Sequence, residues 1–191
     1  LTPNTNTKQR KTYGLRVFKK FRSIDFEAEF AFQNGEYYSD KINASLSSIN
    51  IKALISFTPL IESLSFSKEY ISGDEFLLGG SDGELTGFAK PFGAAHKFHG
   101  YYDNPIHNKF LDNSHAGLNE WFIESNHKLF SSFNLSIKYH HFKDAIDFDV
   151  YGNELDFILS KKLSFGGKLI QGFSIYYPED GERLEAGYLM I

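Results

Sequence analysis

Residues Tyr13–Gln33 read YGLRVFKKFRSIDFEAEFAFQ. Two runs alternate apolar and polar residues, Tyr13–Phe21 and Ile24–Gln33, and a period of two is the signature of a strand. Arg22-Ser23 between them predicts a two-residue hairpin turn, which fixes the register. One face then pairs Phe21 with Ile24, Val17 with Ala28, Leu15 with Phe30 and Tyr13 with Phe32. The other pairs Lys20 with Asp25 and Arg16 with Glu29, with Phe18 opposite Glu27. A slip of one residue would scramble both faces at once, so their agreement is strong evidence for this pairing. Cost decides which face meets which solvent. A Lys or Arg facing lipid at mid-depth costs about 2–4 kcal/mol, so Arg16, Lys20, Asp25, Glu27 and Glu29 are expected on a water-filled side. A half-exposed antiparallel sheet on a soluble core would show the same alternation.

Outward from this hairpin the pattern continues. Leu1–Lys11 and Gln33–Lys41 are polar and read as loops. Ile42–Phe57 is the next strand. Its apolar residues change phase between Leu46 and Ile49, which predicts a β-bulge near Ser47-Ser48. Leu64, Phe66 and Tyr70 mark a fourth strand whose apolar face is broken by Lys68. Gly117–Leu129 and Phe133–Phe142 form a hairpin about 130–132, with Ile123 opposite Tyr139, Trp121 opposite His141, and Glu124 opposite Lys138. Val150–Lys162 places Leu155, Phe157 and Leu159 on one side and Glu154, Asp156 and Ser160 on the other. Lys168–Tyr177 and Leu184–Ile191 complete nine strands. Short turns alternate with longer or more polar connections, the layout of outer-membrane barrels. The expected fold is all-β: an antiparallel transmembrane up-and-down barrel in one domain, 1–191, with a long inserted loop at 73–115. Bacterial single-chain barrels have even strand counts, so nine implies a C-terminal fragment lacking N-terminal strands.

Composition agrees. The 191 residues include 20 Phe and 11 Tyr, with no Cys and a formal charge of −4. That charge gives no basic footprint for nucleic acid. No run approaches the ~18 consecutive apolar residues of a membrane-spanning helix, but barrel strands are short and alternate.

The longest break in the alternation is Phe88–Glu120, rich in Gly, His, Asn and aromatics. A loop of that length in a compact domain is usually functional or disordered, and its aromatics argue for order. Phe92, His96, Lys97, Phe98, His99, Tyr101, Tyr102 and Asp103 suit an amphipathic plug or constriction; an outer-surface cap packed by its own aromatics is the plainer alternative. His96, His99 and His107 with Asp103 invite a metal, yet no compact ligand spacing appears, so no metal and no cofactor is expected. No G-x-S-x-G elbow supports serine catalysis. Asp25/Glu27 and Glu154/Asp156 lie beside Arg or Lys, which favours a charge lattice over a glycosidase pair.

Several short motifs recur in a familiar order. Ser72-Gly73-Asp74 comes first, then Phe92-Gly93, His96-Lys97-Phe98, Gly100 and Asp103, then Gly117-Leu118 with Glu120. Tyr151-Gly152-Asn153-Glu154-Leu155-Asp156 closes the series. Over roughly Ser63–Ile191 this resembles the alginate-export family of outer-membrane β-barrels. The resemblance implies a non-enzymatic channel in the bacterial outer membrane. Its partners would be membrane lipid and a polar solute, an oligosaccharide or anionic polysaccharide. The lumen lattice would comprise Arg16, Lys20, Asp25, Glu27, Glu29, Glu124, Lys138, Glu154 and Asp156. It is richer in acid than the strongly basic lumen an alginate exporter should need. Two other readings fit the residues: a soluble β-sandwich binding carbohydrate through Tyr101, Tyr102 and Trp121, and an outer-membrane enzyme using the His-rich loop.

Overall fold

A computed structural model describes residues 8–38, 40–74, 83–89, 117–130 and 132–190. The strands are β1 (Lys8–Phe21), β2 (Ile24–Tyr37), β3 (Asp40–Leu54), β4 (Ile61–Ile71), β5 (Glu84–Leu85), β6 (Leu118–Leu129), β7 (Phe133–Lys143), β8 (Val150–Lys162), β9 (Lys168–Pro178) and β10 (Leu184–Met190). Nine follow one another as antiparallel neighbours in a single up-and-down sheet, with β1 and β10 at its edges, and β5 lies off this path. Among the described residues no second sheet packs on the first, as a sandwich would require.

The first hairpin has the register that alternation predicts, from Phe21 opposite Ile24 through Arg16 opposite Glu29 to Tyr13 opposite Phe32. The β6–β7 pairing likewise sets Ile123 opposite Tyr139 and Glu124 opposite Lys138. Three expectations are corrected. The polar stretches Lys8–Lys11 and Asn34–Lys41 are mostly strand, because their backbones complete the ladders of β1, β2 and β3. Polarity there reflects the solvent rather than the backbone conformation. Strands of 14 and 15 residues exceed the ~9–11 that cross a bilayer, and the excess is hydrophilic. Second, β3 has no bulge at Ser47-Ser48: its pairing with β2 runs unbroken. Ile49 and Ile51 face outward and are exposed, whereas Ile42 and Ala44 face inward and are buried. The apolar residues change face because the inner side is polar near one rim and packed near the other. Third, a tenth strand exists. β4 pairs with β3 only from Leu46 on, and β5 takes up the vacated edge in parallel, Lys41 opposite Glu84 and Ile42 opposite Leu85.

The two faces differ sharply. Outward positions include Leu15, Val17, Phe30, Phe32, Ile49, Ile51, Leu64, Phe66, Ile123 and Phe173, all exposed. An exposed apolar surface this continuous marks contact with lipid or a partner. The only apolar cluster sealed from solvent among the described residues lies on the inner face near the rim of the β4–β6 connection. There Ile71, Leu118, Phe142, Tyr151 and Tyr176 pack together, joined by Leu46 and Phe88.

Candidate functional site

The inner face is built by parity. Every second residue of each strand points to it, and the ladders set these residues in rows across the sheet. One row runs Lys20, Asp25, Lys52, Ser65, Glu124, Lys138, Asp156 and Ser174. The next runs Phe18, Glu27, Asn50, Ser67, Phe122, His140, Glu154 and Tyr176. The nine charged residues singled out by alternation therefore share one face. Their partners are not all the expected ones. Lys20 pairs with Asp25 at 3.6 Å, but Arg16 reaches diagonally to Glu27, 2.6 Å away, although Glu29 is its register partner. Glu124 accepts from Ser136 Oγ at 2.7 Å, while the Lys138 ammonium sits 5.5 Å from the centre of the Phe122 ring.

Alternation did not reveal the cluster around His140. The side chain is 1% exposed, with Nδ1 2.6 Å from Glu120 Oε1 and Nε2 3.4 Å from Asp156 Oδ2. Ser174 Oγ donates to the other oxygen of Asp156 at 2.6 Å. The imidazole lies flat on Phe142, with ring planes 9° apart, and beside Phe122. His141, one residue on, points outward and meets Asn153 Oδ1 at 2.7 Å. Lys138 and His140 share parity, a signal that could have placed His140 in the inner set, but burial depends on what covers it. Ser174 donates to the aspartate rather than to the imidazole, and the cluster is closed to solvent. His140, Glu120, Asp156 and Ser174 thus form a closed polar network on the inner side of the sheet.

Above it, the start of the long insert is fastened to the inner face. Ser72 Oγ donates to Thr86 O at 2.6 Å and accepts from Ser45 N at 2.9 Å. Asp74 Oδ2 accepts from Thr86 N at 2.9 Å, and Thr86 Oγ1 donates to Gly73 O at 2.7 Å. Gln33, 1% exposed, grips the next residues: its Nε2 donates to Ala89 O at 2.6 Å and its Oε1 accepts from Ala89 N at 3.0 Å. The remaining amide sites go to Thr12 Oγ1 and Arg10 Nη1, so all four hydrogen-bonding positions of this side chain are used. Gly117 closes the insert at φ 70°; a Cβ there would lie 2.3 Å from Ile71 O.

The motif at 151–156 is explained by the same packing. Tyr151 sits where the β7–β8 ladder shifts register, and its carbonyl accepts from Tyr176 OH at 2.7 Å. Gly152 leaves room for the Tyr176 ring, since a Cβ would come within 2.7 Å of its hydroxyl oxygen. Glu154 and Asp156 point inward and Leu155 outward. The family model for alginate export matches residues 1–157. The chain belongs to the alginate export family. That match begins with the first strands, so the leading hairpins belong to the resemblance as much as the motifs after Ser63 do. The alginate export family is an outer-membrane family concerned with transport rather than catalysis, and the all-β sheet fits a barrel. No curated protein matches the chain. The expected constriction residues Phe92, His96, Lys97, Phe98, His99, Tyr101, Tyr102 and Asp103 lie outside the described residues, as does His107. Trp121 stands on the outer face beside Tyr139 and His141.

Proposed function

We propose that this chain forms the wall of an outer-membrane channel that conducts a polar oligo- or polysaccharide along a charged lumen, narrowed by the 73–115 insert. The observation that supports it is the division of labour between the faces: large apolar side chains outside, interleaved charges inside. Arg16, Lys20 and Lys138 attract an anionic chain, and Asp25, Glu27, Glu29 and Glu124 oppose it, while Glu154 and Asp156 lie sealed within the wall. Such a lattice holds hydroxyl-rich solutes by hydrogen bonds and weakens any strong preference for anions. Irregular backbone at membrane depth is tolerable where it lines water or is buried in protein, and the fastening of Thr86 to Ser72–Asp74 and of Ala89 to Gln33 supports an insert that starts on the lumen side.

Planar-bilayer recording tests this. The protein should form pores that neutral and acidic oligosaccharides block reversibly. Deleting His96–Asn108 should raise single-channel conductance and blunt ion selectivity. A folded deletion variant with unchanged conductance would make the insert a surface cap. Recovery of the protein as a folded monomer without detergent would remove the channel altogether.

A further inference from the structure

The outer face is not uniformly apolar. Beyond the register shift between Ile61 and Ser63, the outward positions of β4, β6, β7 and β8 hold Lys68, Lys143 and Lys161 and no Asp or Glu. Lys161 lies near the rim of short turns. Lys68 and Lys143 lie together toward the opposite rim: Lys68 pairs in register with Trp121, and Asn119 pairs with both Tyr70 and Lys143. Lys68 Nζ donates to Asn119 Oδ1, which holds its ammonium beside the register partner of Lys143. Trp121, Tyr139 and His141 flank the pair, with ring centres 5.6 and 5.4 Å from that of Trp121.

Two neighbouring cations on a surface that also displays Phe66 and Ile123, with no acid at those outward positions of the four strands, are costly against hydrocarbon and favourable against anions. Lysine resolves this by laying its stem on the apolar band and lifting its ammonium to the interface, the depth at which tryptophan and tyrosine settle. Long connections face outside in outer-membrane barrels, which sets this patch against the outer leaflet. We infer that Lys68 and Lys143, the former held by the buried Asn119 and both framed by Trp121 and His141, bind the phosphate of a phosphorylated outer-leaflet lipid whose acyl chains lie along Phe66 and Ile123. This rests on the membrane reading above.

Native mass spectrometry of the detergent-solubilised protein with added diphosphorylated lipid A tests it. The wild type should retain this lipid in preference to its dephosphorylated form. Lys68→Gln/Lys143→Gln should lose affinity on the order of tenfold, given the usual worth of a basic residue at an anionic surface. Lys68→Arg/Lys143→Arg should restore binding, and Lys161→Gln should leave it unchanged. Equal retention of the two lipids by wild type, or undiminished binding by a folded double Gln variant, overturns the site. So does displacement of lipid A by micromolar inorganic phosphate, which would mark a free-anion site. A protein that never needs detergent fails the membrane reading instead, so the two failures are distinguishable.

Discussion

The Gln33 side chain holds the backbone of Ala89 as a neighbouring strand would, donating to its carbonyl at 2.6 Å and accepting from its amide at 3.0 Å. The two residues are 56 positions apart, and the contact fixes where the long insert leaves the wall. Burial makes it directional, because an unmet amide in that position costs about 1–3 kcal/mol.

Replacing Gln33 with Leu should therefore destabilise the folded protein by about 1–3 kcal/mol, from the two lost bonds to the Ala89 backbone. The insert should also become open to protease near Ala89. Thermal unfolding in detergent and limited proteolysis read the two effects. Unchanged cleavage at Ala89 would mean that other contacts hold the segment.

His140→Leu should be among the most damaging substitutions on the inner face. It removes the imidazole from between Glu120 and Asp156, and breaking a buried charge network from one side costs about 3–5 kcal/mol. The double variant Glu120→Gln/Asp156→Asn should be milder in the His140→Leu background than in the wild type. Additive losses would show that the three side chains do not act as a unit.

Gly152→Ala should disrupt the β8–β9 pairing. Its φ of 149° disfavours a side chain, and the new Cβ would sit 2.4 Å from Tyr177 O. Because that contact is backbone, Tyr176→Phe should not rescue it. Heat-dependent gel mobility of the folded protein gives the comparison.

Facing decides the effect of a charge. Ile51→Arg, on the exposed outer side of β3, should cost about 2–4 kcal/mol in lipid, whereas Asn50→Arg one residue away should cost less. Equal penalties in bilayer refolding would contradict the assignment of the faces.

Surface ion pairs should matter little for stability. A double-mutant cycle on Lys20 and Asp25, whose ammonium and carboxylate are 3.6 Å apart on partly exposed side chains, should give no more than about 1 kcal/mol. Their substitution should alter ion selectivity more than unfolding.

By itself the sequence determined the strand period, the registers of the Arg22-Ser23 and 130–132 hairpins, and the face of the sheet that the nine singled-out charges share. Those follow from a local rule, that adjacent side chains point to opposite sides and that tight turns fix partners. It could not tell that Ile42 and Ala44 lie inside while Ile49 and Ile51 lie outside the same unbroken strand, since a change of apolar phase looks alike whether the backbone bulges or the environment changes. Nor could it join Gln33 to Ala89, Ser72 to Thr86, or His140 to Glu120 and Asp156. Those contacts bring together residues from different strands and from an insert that obeys no period. Only the stacking of nine strands in order, with the chain folded back over their inner face, brings these groups within hydrogen-bonding distance and shuts out the water that would otherwise satisfy them.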